Sequence, residues 1–471
     1  MWRSSLLLVL PLCLAAQPSP LRFGSDLQLF VDDYLIDSLK GTRLALHQPI
    51  PAGKAIAFDE PWEGNVSAYV TVFRDGPKVR MYYRGVNDPA YVKASALKPG
   101  EMKHPKNDEV VCYAESSDGI GWTKPKLGIF DFRGSKANNI LMAGDARHNF
   151  APFKDPNPAA PAEARYKGLG GGSKLWAYQS PDGIHWTKVR EEPVLTDGAF
   201  DSQNLAFWDS RRGEYVAIYR DFLQGVRTIK CARSKDFLTW SAGEWADYGK
   251  APAEQLYTNA TQPYFRAPQI YLAFPKRYVP SRFVNQGVTD GGVSEAVFMT
   301  SRDGVHWNRF LEAFVRPGRD PRDWVHRNRM TAAGLIQTAE DEISLYVSRH
   351  YNFPSAYLER LTVRTDGFVS VHADYSGGTM TTRPLYIEGN KMVLNYATSA
   401  AGSIRWEILD MNGNPLSGFS AEETKLLSGD QIAETIELQR ARRPERGLGS
   451  RPVRLRFQLK DADLYSLQFI Q

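Results

Sequence analysis

The sequence predicts an all-β protein in which a five-bladed β-propeller is followed by a C-terminal β-sandwich. Three observations predict this fold: a turn motif with five copies, strand-like runs in a fixed order before each copy, and a turn-rich composition. The 471 residues include 38 Gly and 29 Pro, and 12% are aromatic, which favours short strands and tight turns over helices. We assign residues 25–378 to the propeller and 380–471 to the sandwich.

The repeated turn has the pattern Ser-x-Asp-Gly-x-x-Trp, and its aspartates are 54 to 67 residues apart. These aspartates are Asp118, Asp182, Asp236, Asp303 and Asp366. The third copy has phenylalanine in place of glycine, and the degenerate fifth copy lacks the serine and the tryptophan. Asp-Gly supplies the left-handed backbone position of a tight turn, and the tryptophan begins the returning strand.

Runs rich in β-branched and aromatic residues precede the turns in the same order. They are 69–73 and 79–84, 205–208 and 215–220, 263–265 and 270–274, and 332–336 and 343–347. Each unit therefore predicts a meander of four short strands, which is one propeller blade. We interpret the earlier run 29–36 as a strand that closes the ring by joining the last blade. Its Asp32 and Asp33 are either charges on an edge strand or catalytic carboxylates.

After residue 380 the pattern changes to strands that alternate polar and apolar residues. The runs are 384–388, 391–396, 403–409 and 453–459, with a hairpin turn at 412–415. This alternation predicts the β-sandwich. The basic stretch Arg440–Arg446 is either a solvated loop or a contact for an acidic polymer.

The amino terminus predicts export. Residues 1–16 contain one positive charge, a short apolar run and small residues at the end, as in a secretory signal peptide. Lipid attachment at Cys13 is the alternative, against which the bulky Leu12 argues. No later run is apolar for long enough to cross a membrane. We expect a periplasmic or secreted protein without a transmembrane segment.

Charge and cysteine content exclude other classes of protein. The 58 Lys and Arg exceed the 53 Asp and Glu by only +5, so neither this balance nor an exported location fits a nucleic-acid partner. Beyond the predicted signal peptide the chain has only Cys112 and Cys231, both in strand-like contexts. We therefore predict two buried thiols and no disulfide framework.

Three segments carry a resemblance to known proteins: 29–36 (LFVDDYLI), 112–119 (CYAESSDG) and 459–466 (LKDADLYS). They are similar to a group of exported bacterial proteins described as glycosidase-like, and the architecture resembles that of glycoside hydrolase families 32 and 43. The resemblance implies a carbohydrate substrate and hydrolysis of a glycosidic bond. The repeated turns also resemble the Asp-boxes of sialidases, which are structural.

The motifs of family 32 are not reproduced in this chain. The nearest matches, 87–89 (NDP) and 220–222 (RDF), do not lie at the equivalent strand positions, and no Glu-Cys pair exists. The catalytic residues of that family are therefore not carried over, and the site is predicted from propeller geometry.

In a propeller, the starts of first strands, the ends of second strands and the starts of third strands meet at one end of the central channel. Polar residues at these positions should therefore form one pocket. The catalytic candidates are Asp201, Glu295, Glu63 and Asp155. The candidates for substrate binding are Arg84, Arg220, Asp221, Arg277, Arg349, His350, His148, Asn149, Asn204, Asn259 and Arg329.

Glycoside hydrolysis needs one protonated carboxyl group and one ionised carboxylate. We predict Asp201 as base or nucleophile, because it stands directly before an apolar strand. Glu295 is predicted as the acid, because apolar neighbours would raise its pKa. Glu63 and Asp155 are reserve candidates. The alternative for all four is that they bridge blades or cap turns.

Four of the arginines, namely Arg84, Arg220, Arg277 and Arg349, end second strands in four of the five blades. If they converge, they form a pocket for an acidic sugar, such as a uronate or a sulfated residue. The alternative is that they neutralise the protein's own carboxylates. Histidines 148, 326 and 350 are either rim residues or metal ligands. We expect no organic cofactor, and a structural calcium ion is an alternative that the sequence does not decide.

The leading hypothesis is an exported glycoside hydrolase that uses paired carboxylates on an oligo- or polysaccharide. A non-catalytic carbohydrate-binding propeller is the alternative from another functional class, and a lyase or sialidase-like enzyme is a third. Two carboxylates about 5 to 9.5 Å apart across a pocket would favour hydrolysis. A pocket lined by amides and arginines alone would favour binding.

Overall fold

The computed structural model describes residues 19–438 and 448–471. The chain forms two compact units: one is Leu44–Ser370, and the other joins the described residues up to Arg43 with Val371–Gln471. The first unit starts later than the predicted residue 25, because the first described strands group with the C-terminal ones. The predicted signal peptide and the basic stretch 440–446 lie outside the described residues. Within the described ranges, no helix is long and apolar enough to cross a membrane.

Three short strands precede the propeller. They are β1 (Gln28–Leu29), β2 (Ile36–Lys40) and β3 (Thr42–Leu46). The prediction that residues 29–36 close the propeller ring is wrong, because β1 pairs with the C-terminal strand instead. Asp32 and Asp33 lie in a bend between β1 and β2, and not on an edge strand. The following strand, β4 (Ile50–Ala57), closes the ring by pairing with the last blade.

Five antiparallel blades confirm the predicted propeller. Blade one contains β5 (Ala68–Asp75), β6 (Lys78–Gly85), β7 (Val110–Ser116) and β8 (Ile140–Met142). Blade two contains β9 (Ala151–Lys154), β10 (Tyr166–Gly170), β11 (Trp176–Ser180) and β12 (Thr187–Lys188). Blade three contains β13 (Leu205–Asp209), β14 (Glu214–Leu223), β15 (Val226–Ser234) and β16 (Glu244–Trp245).

Blade four is larger, and blade five borrows a strand from the start of the propeller. Blade four contains β17 (Gln255–Leu256), β18 (Gln262–Tyr264), β19 (Ala267–Ala273), β20 (Lys276–Val279), β21 (Val293–Ser301) and β22 (Trp307–Val315). Blade five contains β23 (Ile336–Gln337), β24 (Glu342–Arg349) and β25 (Tyr357–Arg364), followed by β4.

The hydrophobic core of the propeller lies between neighbouring blades. Ile56 of β4, Met81 of blade one and Tyr346 of blade five share one buried cluster. Cys231 of blade three packs in another cluster with Tyr271 of blade four. Large aromatic side chains on alternate strand positions therefore fill the wedge between blades. Cys112 and Cys231 are buried and free, as predicted.

The first four repeated turns connect third and fourth strands of their blades, and the fifth connects β25 to β26 of the C-terminal sheet. In the copy after β21, Asp303 Oδ1 accepts hydrogen bonds from the backbone N–H groups of Val305 at 2.9 Å and His306 at 2.8 Å. Gly304 has the expected left-handed conformation, with φ of 83°. Trp307 begins β22, and its indole N–H donates to the carbonyl of Gly304 at 3.0 Å. The third copy places Phe237 in the same conformation, with φ of 69°.

The C-terminal strands form an eight-stranded sheet with β1, β2 and β3. They are β26 (Val369–Ala373), β27 (Gly378–Thr382), β28 (Lys391–Leu409), β29 (Asp430–Glu437) and β30 (Arg454–Ile470). The predicted strands 391–396 and 403–409 are halves of β28, which pairs with β30 across a register shift between Thr398 and Ser403. The predicted strand 384–388 is reduced to isolated bridges at Leu385.

Short 3₁₀ helices occur only in connections of the described chain. They are Pro89–Tyr91, Ala94–Ala96, Gly144–His148, Ala162–Ala164, Pro321–Asp323 and Leu448–Ser450.

We predict that Asp303→Ala lowers the free energy of unfolding at pH 7 by about 1–2 kcal/mol, because two backbone N–H groups lose their acceptor. Burial opposes the charge of Asp303, but the bonds from His306 and Val305 hold its pKa at about 2. The carboxylate therefore stabilises the fold above pH 4, and this contribution is lost between about pH 4 and pH 2. Chemical unfolding at pH 7 and pH 3 measures both effects.

The control is Glu312→Ala, which changes an exposed acid on β22 and should shift stability by less than about 0.5 kcal/mol. Equal stabilities of Asp303→Ala and the parent protein at pH 7 would contradict the prediction.

Candidate functional site

Arginine, lysine and tyrosine side chains from four blades meet at one end of the central channel. Arg84 near the end of β6 donates to the hydroxyl of Tyr351, which follows β24, at 3.1 Å. Tyr69 at the start of β5 donates to the backbone oxygen of Asp201, before β13, at 3.4 Å. We name the converging set the channel-end cluster. Its members are Tyr69, Arg84, Arg220, Arg227, Tyr257, Lys276, Tyr278, His326, Arg327 and Tyr351.

Cations and aromatic rings alternate within the channel-end cluster. The Arg84 guanidinium lies 4.6 Å from the ring centre of Tyr69. The Tyr257 ring lies 4.8 Å from the guanidinium of Arg220 and 3.8 Å from the Nζ atom of Lys276. The negative face of an aromatic ring attracts a cation, so the tyrosines partly offset the repulsion between the positive side chains.

Asp201 and Glu109 bring carboxylates to the cluster. Asp201 forms an ion pair with Arg220, and its side chain is 63% exposed. Glu109, directly before β7, lies 3.4 Å from Arg84 and 3.0 Å from Nδ1 of His148. Burial opposes the charge of Glu109, but the hydrogen bond with His148 and the charge of Arg84 hold its pKa below the ordinary value. Glu109 is therefore ionised at neutral pH.

Tyr69 connects the segments that carry these two carboxylates. Its hydroxyl donates to the backbone oxygen of Asp201, and its ring centre is 5.4 Å from the ring of His148, which holds Glu109. Tyr69 has a left-handed backbone with φ of 53°, and Arg327 has φ of 64°. Such conformations cost about 1–3 kcal/mol for residues other than glycine and concentrate at functional sites.

Two long connections add residues to this end of the propeller. One runs from β6 to β7, the other from β20 to β21, and they pair through Val92 and Val288. The first places the ring of Tyr91 5.3 Å from the Arg327 guanidinium. The second supplies Asp290, which pairs with Arg327 at 3.2 Å.

Lys276 is the most deeply buried cation of the cluster. Its side chain is fully buried, and Nζ has no hydrogen-bond partner among the described residues. Burial holds the pKa of Lys276 well below its usual value, and the positive charges of nearby arginines lower it further. Those arginines are Arg327, Arg220, Arg227 and Arg84. Burial, followed by the positive charges of Lys276, Arg327 and Arg227, also holds the pKa of His326 far below its usual value.

Some of the sequence-predicted residues reach the cluster. Arg84, Arg220 and Asp201 contact its tyrosines, and His148 joins it through Glu109. Asp221 follows Arg220 on β14 but pairs with Lys230 at 2.8 Å.

Glu295 and Arg277 are not brought to the cluster. They form an ion pair at 2.6 Å, and Arg277 also contacts Glu254 at 3.2 Å. Successive side chains of a strand point to opposite faces. On β20, Lys276 therefore faces the cluster, and Arg277 faces away from it.

Glu63 and Asp155 lie in buried ion pairs elsewhere in the propeller. Glu63 pairs with Lys124 at 2.6 Å and accepts a hydrogen bond from Tyr83. Burial raises the pKa of Glu63 in spite of Lys124. Asp155 pairs with Lys167 at 2.6 Å. Both sites match the alternative that these carboxylates connect structural elements.

Arg329, Arg349 and His350 belong to a buried charge network beside blade five. Both arginines pair with Glu359 and Asp323, at distances between 2.5 and 3.2 Å. His350 Nε2 lies 3.0 Å from Asp320. This network is internally paired.

The three predicted asparagines hold backbone segments. Their side-chain amides donate to backbone carbonyls near the starts of first strands. They are Asn149, Asn204 and Asn259. These amides therefore hold backbone segments in place near the channel end.

All four arginines that end second strands have carboxylate partners. Arg84 pairs with Glu109, Arg220 with Asp201, Arg277 with Glu295, and Arg349 with Glu359. This matches the alternative that they neutralise the protein's own acids. The four arginines therefore do not by themselves support an acidic sugar.

Five residues of this site were not predicted from the sequence, namely Tyr69, Tyr257, Arg227, Lys276 and Asp290. Arg227 satisfies the same positional rule as the predicted residues, because it lies at the start of β15, the third strand of blade three, and Lys276 is the neighbour of the predicted Arg277. Within the described ranges, no three His, Cys, Asp or Glu residues are grouped to hold a metal ion.

No family model matches this chain, and no curated protein matches it. Solved structures with some similarity include one described as a glycoside hydrolase, with 15% identity over 67% of this chain and 92% of that chain and a TM-score of 0.47. A family 62 α-L-arabinofuranosidase catalytic domain from Coprinopsis cinerea has 11% identity over 68% of this chain and 98% of that chain, with a TM-score of 0.43. A family 43 arabinoxylan arabinofuranohydrolase from Bacillus subtilis has 11% identity over 90% of this chain and 99% of that chain, with a TM-score of 0.39. Likenesses this weak support no functional conclusion for this chain.

We predict that Glu63→Ala lowers the free energy of unfolding by about 3–5 kcal/mol, because it leaves the charge of Lys124 largely buried without its nearer partner. The matched control is Asp59→Ala, since Asp59 also pairs with Lys124, at 3.0 Å, but its side chain is 74% exposed. Asp59→Ala should lower the free energy of unfolding by less than about 1 kcal/mol. Urea unfolding compares the two variants, and equal losses would contradict the assignment of Glu63 to the core.

We predict that Lys276→Met raises the free energy of unfolding at pH 7 by about 1–3 kcal/mol, because it removes a buried polar group without a partner. The lowered pKa in the folded state means that unfolding takes up a proton below about pH 10. The parent protein therefore loses stability relative to the variant as the pH falls from 10 to 7.

The matched control is Lys167→Met, which removes a buried lysine that has a carboxylate partner and should be strongly destabilising. Thermal and urea unfolding at pH 7 and pH 10 measure these differences. A loss of stability in Lys276→Met at pH 7 would show that Lys276 is charged and paired.

Proposed function

We propose that the protein hydrolyses a glycosidic bond of an oligo- or polysaccharide at the channel-end cluster. One observation carries this proposal: Glu109 and Asp201 pair with Arg84 and Arg220 of the channel-end cluster, at the end of the channel where first and third strands begin. Two carboxyl groups around one reaction centre are the requirement of this chemistry. The reaction consumes water and needs no organic cofactor.

The environments of the two carboxylates suggest separate roles. Glu109, held ionised by His148 and Arg84, suits the base or nucleophile. Asp201 is mostly exposed, and a sugar bound over it would remove water from its carboxyl group. Loss of water raises a carboxyl pKa, which suits the acid. Asp201 thus takes the acid role, and Glu109 replaces Glu295 as its partner.

Aromatic rings at the rim of the site suit a sugar ligand. Phe222 is 41% exposed, and its ring lies 5.0 Å from the Arg227 guanidinium. Tyr278 is partly exposed beside the same arginine, at 5.7 Å. Apolar faces next to a few fixed polar groups are typical of ligand sites. Export after removal of residues 1–16 is part of this proposal.

A non-catalytic carbohydrate-binding protein is the second candidate. It is favoured by the pairing of every carboxylate described at the cluster: Asp201 with Arg220, Glu109 with Arg84, and Asp290 with Arg327. A carboxylate held by an arginine is poorly suited to deliver a proton.

We predict that Asp201→Asn and Glu109→Gln each lower sugar release by about 100-fold or more, the usual contribution of a general acid or base. The assay measures reducing-sugar release from neutral, uronic and sulfated glycans. Glu295→Gln decides between the two carboxylate pairs, because loss of release in this variant would restore the pair predicted from sequence. Glu312→Gln on the exposed face of β22 is the matched control.

Binding of a glycan without release by the parent protein, and with affinity retained in Asp201→Asn, would favour the second candidate. Release that persists in both cluster variants would refute the assignment of Asp201 and Glu109.

A further inference from the structure

The channel-end cluster contains more positive charge than its carboxylates neutralise. Arg84, Arg220 and Arg327 have carboxylate partners, but Lys276 and Arg227 have no such contact among the residues that the structure describes. Arg227 donates to the neutral amide oxygen of Gln255 at 3.1 Å. Unpaired cations inside a protein are costly, so an excess at one place needs an explanation.

The unpaired donors of the cluster surround two tyrosine rings. Within the described residues, the atoms without hydrogen-bond partners include Lys276 Nζ, Arg227 Nε, Arg327 Nε and His326 Nδ1. Lys276 and Arg227 lie over the Tyr257 ring, at 3.8 and 5.1 Å. The Tyr278 ring is 5.7 Å from Arg227 and 4.2 Å from the ring of His326.

One side of this group is open to solvent. Arg227, Tyr278 and Arg327 are each partly exposed, whereas Lys276 is fully buried. An anion can therefore approach the arginines from solvent and place its charge close to the buried amine. Arginine forks bind planar carboxylates and sulfate oxygens in two-point contacts.

We propose that Arg227, Arg327 and Lys276 form a subsite for an anionic group of the saccharide, a carboxylate or a sulfate ester. This subsite rests on the proposed carbohydrate ligand and adds its chemical class. None of the three subsite residues is one of the four arginines that end second strands. Asp290 competes for Arg327, so Arg227 is the principal contact from solvent.

Binding of the anion is coupled to protonation of Lys276. The charged groups that face its amine are Arg84, Arg220, Arg227 and Arg327, with the neutral His326 and the phenol of Tyr257 beside them. Burial and the positive charges of these arginines disfavour the ammonium form of Lys276. A bound anion stabilises the ammonium form, so the complex takes up a proton and affinity falls as the pH rises.

Isothermal titration calorimetry of the full chain tests the subsite. The probes are sodium sulfate, sodium galacturonate and neutral galactose at constant ionic strength, each in two buffers with different heats of ionisation. We expect at least one anion to bind with uptake of up to one proton, and galactose to bind without proton uptake. Binding of sulfate alone assigns a sulfate ester, and binding of galacturonate alone assigns a uronate.

Three variants separate the contributions. Arg227→Gln should weaken binding of the anion at least 10-fold, and Lys276→Met should abolish proton uptake. Arg212→Gln is the control, because Arg212 is a partly exposed arginine at the opposite end of β14, where it pairs with Asp209. Failure of both anions to bind, or unchanged binding in both Arg227→Gln and Lys276→Met, would overturn the subsite.

Failure of the subsite and failure of hydrolysis give different results. Asp201→Asn removes a negative charge, so it should retain or strengthen binding of the anion while it loses sugar release. Anion binding without release in the parent protein would refute hydrolysis and leave the subsite standing. Release of neutral sugars without any anion binding would support hydrolysis and refute the subsite.

Discussion

The pairing of β4 with β25 is the interaction on which the channel end depends. It joins residues from the start of the propeller to its last blade, and Ile56 of β4 shares a buried cluster with Met81 and Tyr346 from blades one and five. Without this strand, β25 would present an open edge. Closure brings blade five beside blade one, where Arg84 meets Tyr351. The convergence of the cluster follows from this pairing and not from any local sequence motif.

The sequence could predict which ends of strands meet, because turn chemistry and strand order repeat in every blade. It correctly predicted five blades, and four of the residues that it named, Arg84, Arg220, Asp201 and His148, lie at or beside the channel-end cluster. It could not predict which of two neighbours faces the channel. Arg227 lies at the start of a third strand as the rule requires, but a one-residue change of register exchanges Lys276 with Arg277. The closing strand was also missed, since both 29–36 and 50–57 precede blade one.

Crowding of like charges at the channel end is tolerated through several compensating contacts. The tyrosine rings present their negative faces to the cations, and three carboxylates neutralise three arginines. Tyr69 and Arg327 nevertheless retain left-handed backbones there. Strain and unpaired donors at the same place are what a site shaped for a ligand is expected to show.

The other largely buried lysines of the propeller show how the fold treats a cation that has only a structural role. Lys124 pairs with Glu63, Lys167 with Asp155, and Lys230 with both Asp197 and Asp221. Each of these lysines has a carboxylate within 3 Å, supplied by a neighbouring strand or connection. Lys276 is more deeply buried than any of the three, and it has no carboxylate partner in the described part of the chain. Since the same fold supplies a partner to the others, stability alone does not explain Lys276, and a negatively charged ligand at the channel end does.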